Sequence, residues 1–358
     1  MEKEMKILIG VLIIGMIGII TGWIYSYTGK HGKQIMLDLV NATEKQDGPY
    51  VFIEDNALIK MRIDSVGEVK RDTVNVNKFI TSFRQEPAVY NNVQKFAALS
   101  DVHGQFNIFS QILRQHRIVD QDLNWSYSTG HLVIVGDIVN KGHQVTECLW
   151  LVYKLEQQAE KAGGKVHYLL GNHEVQFLQG DVSDMNSKYT NTAERLEKKP
   201  ADLLGKNTVL GRWLRKKNAM MKINDYLFVH AGISSEFIQM NVNMNRANQL
   251  YIESMEQSLN QFDPEDLHLQ MYKAHSPLWY RGFFSSGFKE RQMDQILSSF
   301  QVDHIVVGHT SQNKVIGMYN NKLYAVDSSI KEGRNGEILL VENGIAYRGK
   351  FNGQRQKL

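Results

Sequence analysis

The chain has 358 residues, 42% of them hydrophobic, which is the composition of a globular protein able to bury a sizeable core. Its formal net charge of +3 at pH 7 is too small to favour nucleic acid as a partner. The single cysteine, Cys148, excludes an intrachain disulfide framework and a cysteine-rich zinc site.

The first element in chain order is an uncharged apolar run over residues 7–25. As a helix rising about 1.5 Å per residue it would span roughly 28 Å, close to the hydrocarbon thickness of a bilayer. The run ends in Trp23-Ile24-Tyr25-Ser26-Tyr27, an aromatic cluster typical of a membrane interface. We therefore predict an uncleaved, single-pass membrane anchor over residues 1–28 rather than a cleaved signal peptide. Lysines flank both ends, and we expect the rest of the chain to lie outside the cytoplasm.

Residues 29–94 carry no recognisable chemistry and are predicted to form a juxtamembrane linker followed by a small β module. The runs over residues 50–53 and 57–63 have strand composition, with turn residues between them, and residues 73–76 predict a third strand. These strands either form a module of their own or dock on the domain that follows.

From residue 95 the chain alternates short apolar runs with segments of helical character, which predicts one α/β domain over residues 95–358. Five apolar runs end in a polar cluster that contains a potential metal ligand. Ligands of such sheets collect beyond the carboxyl ends of the strands, so we expect these clusters to converge. They are Asp101-Val102-His103-Gly104, Gly136-Asp137, Gly171-Asn172-His173-Glu174, His230-Ala231-Gly232 and Gly308-His309.

The clusters offer oxygen and imidazole donors without a thiolate, a set that suits Mn, Fe or Zn, whereas Mg or Ca would leave the histidines unexplained. Six donors are too many for one tetrahedral ion, but they suffice for two ions if a carboxylate bridges them. Two ions about 3.5–4 Å apart can activate a water and clamp the oxygens of a phosphoester. Judged singly, His230 and His309 are equally compatible with buried structural histidines. The candidate ligands are Asp101, His103, Asp137, Asn172, His230 and His309, with His173 beside them.

Taken together and in this order, the five clusters resemble the calcineurin-like metallophosphoesterases over about residues 95–347. The sequence Gly-Asn-His-Glu at 171–174 and the single histidine of the last cluster favour the phosphoprotein-phosphatase branch. The segment Ser276-Pro277-Leu278-Trp279-Tyr280-Arg281-Gly282 further resembles the Shewanella-like phosphatases. The resemblance implies a sandwich of two mixed β-sheets flanked by helices.

The resemblance also implies a role for each candidate residue. One divalent ion is held by Asp101, His103 and a bridging Asp137, and a second by Asp137, Asn172, His230 and His309. His173 protonates the leaving oxygen, which is also the work expected of a histidine next to a metal ligand. The implied reaction is hydrolysis of a phosphomonoester by a metal-activated water, without a covalent intermediate.

The chain departs from this branch at Asn140-Lys141, where Asp-Arg is usual. The usual Asp orients the catalytic histidine; Asn140 can accept a hydrogen bond but cannot stabilise an imidazolium by charge. Lys141 is a point charge that cannot grip a phosphate as a bidentate fork, and Arg281 is the candidate to supply that fork. We therefore expect Asn140 to support His173, and Lys141 and Arg281 to bind the substrate.

A phosphorylated protein is the leading substrate, and a small phosphoester is a further one. Lysine at position 141 resembles diadenosine-tetraphosphatase-like members, so a nucleotide hydrolase stays open. An inactive, membrane-anchored binding module also stays open, supported only by the departure at Asn140-Lys141. Two insertions, over residues 180–210 and 241–300, can each cover the site.

Overall fold

The structure is a computed structural model that describes residues 46–55 and 57–358. The predicted membrane anchor, residues 1–28, lies outside the described residues. Among those that are described, no helix combines the length and the apolar character needed to cross a bilayer. The chain divides into two compact units, and the larger one comprises residues 48–61 and 71–358.

The described residues of the smaller unit are 46–47 and 62–70. The second stretch contains a tight turn, in which the carboxylate of Asp64 accepts hydrogen bonds from the N–H groups of Val66 and Glu68 at 3.1 and 2.8 Å. An aspartate that bonds the backbone ahead of it is a usual way to close such a turn.

The first three strands form a sheet in the order β1 (Asp47–Glu54), β2 (Ala57–Ile63) and β3 (Val69–Val74). Phe52 of β1 forms an isolated antiparallel bridge with Thr208, and the N–H of Ile53 donates to the carbonyl of Asn207 at 2.7 Å. Of the two arrangements open from sequence, β1 therefore shows the second, in which the strand docks on the domain that follows.

The rest of the larger unit is built on two six-stranded sheets, which confirms the predicted α/β architecture with two mixed sheets. The strands are β4 (Val89–Tyr90), β5 (Lys95–Leu99), β6 (His131–Ile134), β7 (Lys165–Tyr168), β8 (Met220–Ile223), β9 (Tyr226–Val229), β10 (His304–Val307), β11 (Ile316–Met318), β12 (Leu323–Ala325), β13 (Ile338–Glu342), β14 (Ile345–Gly349) and β15 (Arg355–Lys357). The first sheet has the order β15-β14-β13-β5-β6-β7, in which the neighbours β5–β6 and β6–β7 pair in parallel and the others antiparallel. The second has the order β11-β12-β10-β9-β8-β4 and mixes both pairings.

The two sheets share one hydrophobic core. Phe96 and Val133 of the first sheet are buried in the same cluster as Phe228 and Val306 of the second. The ring of Phe96 lies edge-on to that of Phe228, with centroids 5.3 Å apart. Each fully buried side chain of this size contributes about 1.5–3 kcal/mol, so the core fixes how the strand ends of one sheet face those of the other.

Helices connect the strands, and α2 shows why they form where they do. Its buried residues Leu149, Val152, Leu155 and Ala159 recur at three- and four-residue spacing, which places them on one face. The described helices are α1 (Phe106–Gln115), α2 (Val145–Lys161), α3 (Asn172–Leu178), α4 (Ser187–Arg195), α5 (Val209–Leu214), α6 (Ser235–Gln239), α7 (Met244–Glu256), α8 (Leu267–Gln270) and α9 (Glu290–Phe300).

Candidate metal centre

The five polar clusters lie at the carboxyl ends of strands, as the sequence predicts. They follow β5, β6 and β7 of the first sheet and β9 and β10 of the second. The chain turns out of these strands through left-handed backbone, with φ of +54° at Asp101, +43° at His103, +59° at Asp137 and +62° at His309. Non-glycine residues seldom adopt this conformation, and when they do it is often at a functional site.

Asp137 lies at the centre of the cluster and is 1% exposed. Its Oδ2 is 3.3 Å from Nε2 of His230, 3.5 Å from Nε2 of His103 and 3.9 Å from Nε2 of His173. Its Oδ1 accepts a hydrogen bond from the N–H of His173 at 3.1 Å. One carboxylate therefore reaches histidines that come from both sheets.

The remaining predicted ligands surround this carboxylate. Oδ1 of Asp101 is 3.8 Å from Nε2 of His103, and Oδ2 of Asp101 accepts a hydrogen bond from the N–H of His309 at 2.8 Å. Nε2 of His230 lies 3.0 Å from Oδ1 of Asn172 and 3.2 Å from Nδ1 of His309. The structure thus brings all six predicted ligands together.

Donor atoms within 4.8 Å of one another form two groups, and Asp137 belongs to both. One group contains His103 and His173, and the other contains His230 and His309. A carboxylate shared by two groups of donors is the arrangement that a pair of bridged ions requires.

Backbone carbonyls fix the orientation of two of the imidazoles. Nδ1 of His103 is 2.8 Å from the carbonyl oxygen of Val139, and Nδ1 of His230 is 2.7 Å from that of Val135. A carbonyl can only accept, so each ring donates its Nδ1–H there and turns its Nε2 towards the centre. This is the usual way in which a protein prepares a histidine for a metal.

Glu174 holds the loop that carries Asp137. Its two carboxylate oxygens are completely buried within α3 and accept hydrogen bonds of 2.7–3.0 Å from five donors. Glu174 therefore positions Asp137 and does not face the metal donors. The five donors are the N–H groups of Asp137, Ile138, Val139 and Gly171 and the hydroxyl of Tyr168.

Burial and like charge shape the electrostatics of the two aspartates. Burial, and then the carboxylates of Asp327 and Asp137, raise the pKa of Asp101 well above its usual value. Burial alone would also raise the pKa of Asp137, but the neighbouring histidines, His230 foremost, hold it well below the usual value. Buried carboxylates this close together are stabilised by a cation, so the site fits a divalent ion.

The histidines divide into two electrostatic classes. Burial lowers the pKa of His103 to about 3 and, together with the neighbouring His230, that of His309 to about 2, so both rings are neutral and keep a lone pair for a metal. Burial also lowers the pKa of His173. At His230 the opposing burial is outweighed by the carboxylate of Asp137, and the pKa rises to about 9.

The predicted residues outside the ligand set lie around the same centre. Nδ2 of Asn140 is 3.2 Å from Nδ1 of His173, and Nζ of Lys141 is 3.1 Å from Nε2 of His103. Nη1 of Arg281 donates to the carbonyl of His309 at 2.9 Å, which places this guanidinium beside the last ligand loop.

Two further carboxylates near the centre were not singled out from the sequence. Oδ2 of Asp184 lies 3.5 Å from Nδ1 of His173, and Asp327 contributes to the raised pKa of Asp101. The only sequence signal for Asp184 is its place in the polar insertion over residues 180–210, which was expected to cover the site.

Comparisons with known proteins agree with this geometry. A crystal structure of a cold-active protein-tyrosine phosphatase from a psychrophilic Shewanella species is 40% identical, covers 87% of this chain and 99% of that chain, and has a TM-score of 0.84. Shewanella-like protein phosphatase 1 of Plasmodium berghei is 26% identical over 258 residues, or 67% of this chain and 69% of the relative. The symmetrical bis(5'-nucleosyl)-tetraphosphatase of Chromobacterium violaceum is 30% identical over 142 residues, or 39% of this chain and 44% of the relative.

The family model for calcineurin-like phosphoesterases matches residues 94–313. That range contains all the predicted metal ligands and more than half of the chain. The protein therefore belongs to the calcineurin-like phosphoesterase family and is a metal-dependent hydrolase of phosphoric esters.

Proposed function

We propose that this chain is a protein phosphatase that uses two divalent ions and accepts phosphotyrosine among its substrates. The observation that carries the proposal is the buried carboxylate of Asp137, which reaches donors from both sheets. Similarity at 40% identity to a protein-tyrosine phosphatase supports the substrate class. Phosphoserine and phosphothreonine side chains of proteins are the other substrates in this class.

The donor set supports two ions of the Mn, Fe or Zn type, because it combines carboxylates, imidazoles and one amide without a thiolate. When bound, the ions would supply Lewis-acid activation of the attacking water and neutralise charge on the phosphoryl oxygens. Asp101, His103 and Asp137 would hold the first ion, and Asp137, Asn172, His230 and His309 the second.

The residues around the ions would divide the remaining work. His173, 7% exposed, would give its Nε2 proton to the leaving oxygen, and Asn140 would support its ring. Lys141 would attract the phosphate as a charge. Arg281 would grip it with the N–H groups that His309 and Thr310 do not use.

Phosphate release from 4-nitrophenyl phosphate, measured with and without added Mn²⁺, tests the enzyme. We expect metal-dependent turnover by the unsubstituted chain. Asp137→Asn should lower turnover by a factor of about 10³ or more, because the shared ligand loses its charge. Equal turnover by Asp137→Asn would contradict the proposal, and an unsubstituted chain without activity in any metal would favour a binding module.

A nucleotide hydrolase is the second candidate function, and two observations favour it. Lysine occupies position 141 beside His103, and part of the chain is similar to a bis(5'-nucleosyl)-tetraphosphatase. A panel of phosphotyrosine, phosphoserine and phosphothreonine peptides against diadenosine tetraphosphate separates the two candidates. We expect a phosphotyrosine peptide to have a higher kcat/KM than the dinucleotide; the reverse order would replace the protein phosphatase by the nucleotide hydrolase.

We further propose that residues 1–28 are a membrane anchor, that residues 29–94 link it to the catalytic domain over residues 95–358, and that this domain lies outside the cytoplasm. The apolar run over residues 7–25 and the aromatic cluster at its end support the proposal. A reporter fused after Leu358 that is active only outside the cytosol should be active. A silent reporter on an expressed, membrane-bound fusion would reverse the orientation.

A further inference from the structure

The loop that follows β6 brings the Asp137 carboxylate towards Nε2 of His173, but it offers Nδ1 of that ring only an amide. Nδ2 of Asn140 lies 3.2 Å from Nδ1 of His173, and Oδ1 of Asn140 is buried without a hydrogen-bond partner. An amide acts on a neighbouring imidazole only as a dipole, whereas a carboxylate acts by charge and as an acceptor. Any carboxylate that pairs with Nδ1 of His173 must therefore come from elsewhere in the chain.

Asp184 brings a carboxylate to the same nitrogen from a different loop. Its Oδ2 lies 3.5 Å from Nδ1 of His173, and its side chain is 57% exposed whereas that of His173 is 9% exposed. The carboxylate thus approaches the buried ring from the solvent side, in the segment between α3 and α4.

Two hydrogen bonds, made by Asp184 and Asn186, hold this loop against the loop that carries Asn140. The N–H of Lys141 donates to the carbonyl of Asp184 at 3.1 Å, and Nδ2 of Asn186 donates to the carbonyl of Lys141 at 2.8 Å. The position of Asp184 relative to Asn140 is therefore set by the backbone and not by the reach of one exposed side chain.

We propose that Asp184 is the carboxylate that positions His173. It lies in the neighbouring loop and replaces the carboxylate that is absent at position 140. The inference rests on the proposed function, in which His173 protonates the leaving oxygen. Nδ1 of His173 carries a proton that faces Oδ2 of Asp184, and the amide of Asn140 presents its otherwise unpartnered Oδ1, rather than Nδ2, to the same N–H. The ring is thereby fixed with Nε2 towards the centre.

The proton balance of the step defines what Asp184 does. The bond between phosphorus and the leaving oxygen breaks, a bond between phosphorus and the water oxygen forms, and the Nε2 proton of His173 passes to the leaving oxygen. The proton lost by the water restores Nε2–H at the end of the cycle. Nδ1–H stays on the ring throughout, so Asp184 acts through His173 and does not touch the substrate.

The test compares Asp184→Asn with two further variants on two substrates that differ in leaving group. Phenyl phosphate needs a proton on its leaving oxygen, whereas 4-nitrophenyl phosphate has a good leaving group and needs little help. We expect Asp184→Asn to lower kcat on phenyl phosphate by about tenfold and on 4-nitrophenyl phosphate by less than about threefold. Adding Asn140→Asp to that variant should restore most of the lost kcat.

Asp202→Asn is the matched control, because Asp202 is an exposed aspartate of the same insertion whose Oδ2 accepts from the N–H of Lys199 at 3.2 Å. It should leave the ratio of the two kcat values unchanged. Three results would each overturn the role of Asp184. Asp184→Asn could lower kcat equally on both substrates, it could leave kcat on phenyl phosphate unchanged, or the added Asn140→Asp could fail to restore kcat. An unsubstituted chain that hydrolyses neither substrate refutes the proposed function instead, and the inference falls with it.

A spectroscopic readout keeps the test independent of turnover. In the metal-free protein, the ¹⁵N resonances of His173, assigned by their loss in His173→Gln, should show a protonated Nδ1 in the unsubstituted chain. In Asp184→Asn, the ¹⁵N chemical shift of Nδ1 should move towards the value of a less protonated nitrogen. In the variant that also carries Asn140→Asp, it should return to the value of the unsubstituted chain. Identical His173 spectra in all three proteins would contradict the proposal.

Discussion

At the scale of single residues, the convergence of the candidate ligands could be predicted because each follows an apolar run that has the character of a buried strand. Asp101 and His103 were found in this way, as was His309, 206 positions after His103 in the sequence. Asp184 could not be, because no local pattern says that a polar insertion folds back on Asn140-Lys141. Its place depends on two hydrogen bonds between the loops, one from backbone to backbone and one from the side chain of Asn186.

Arg281 provides the first prediction at this scale. Arg281→Lys should lower kcat/KM for a phosphomonoester by about tenfold or more, because an ammonium cannot form the two parallel hydrogen bonds that a guanidinium offers to a phosphate. Steady-state kinetics measure the change. The exposed Arg291→Lys on α9 is the matched control. An unchanged kcat/KM for Arg281→Lys would remove Arg281 from the substrate site.

His131, at the start of β6, and His167, in β7, form a pair that provides the second prediction at this scale. Nδ1 of His131 is 2.9 Å from Nε2 of His167, and burial lowers the pKa of His131 to about 4 and that of His167 well below its usual value. Below about pH 6.5 the unfolded chain therefore binds more protons than the folded one. The stability these neutral rings contribute is complete above that pH and is lost as the pH falls towards 4.

We expect His131→Gln, which keeps a hydrogen-bond donor for His167, to lose less of its free energy of unfolding between pH 7 and pH 5 than the unsubstituted chain. The two proteins should differ in this loss by at most about 1.4 kcal/mol per pH unit for each proton, and the partial exposure of His131 makes the difference smaller. Urea unfolding at the two pH values measures it. Parallel losses in both proteins would show that the pair does not titrate on unfolding.

At the scale of elements, strands with strong apolar runs were predicted nearly to the residue, and weak ones were missed. β2 coincides with its predicted run over residues 57–63, and β9 and β10 end directly before the predicted clusters at His230 and Gly308. β4 has two residues, and β15 is Arg-Gln-Lys. Such strands exist because a neighbouring strand already offers hydrogen-bond partners, so their own composition carries little signal.

The N-terminal turn of α3 provides a prediction at this scale. Glu174→Gln should lower the free energy of unfolding by about 2–4 kcal/mol, because the charged acceptor of five buried donors becomes an amide with two donors of its own. Urea denaturation measures the loss, with the exposed Glu194→Gln on α4 as the control. Equal stability of the two variants would mean that the buried carboxylate is not ionised.

At the scale of the whole molecule, the metal site and the fold depend on each other. The carboxylates of Asp327 and Asp137 both raise the pKa of Asp101, so the ion-free chain carries unfavourable charge in its core. Divalent ions that bind only the folded chain stabilise it by mass action, by about 2.7 kcal/mol at a concentration of 100 Kd.

Metal removal provides the prediction at this scale. Excess EDTA should lower Tm by about 5–11 °C relative to a sample with Mn²⁺ at 100 Kd, since about 2–4 °C corresponds to each kcal/mol in larger domains. Calorimetry measures both samples. Chelation should lower the Tm of the Asp101→Asn variant by less than that of the unsubstituted chain, because the ion-free variant has one buried carboxylate fewer. The same Tm with and without the ion in the unsubstituted chain would exclude a bound metal.

The path of the chain through its sheets also bears on its biosynthesis. After β7 the polypeptide forms the other five strands of the second sheet, β8 to β12, and only then returns to the first, where β13 pairs with β5, the strand that leads into Asp101. In a nascent chain on the ribosome, every candidate ligand therefore leaves the exit tunnel before β13 does, while β5 still lacks that neighbour. We expect the site to be complete for cation loading only after Glu342 has itself left the tunnel and β13 has paired with β5.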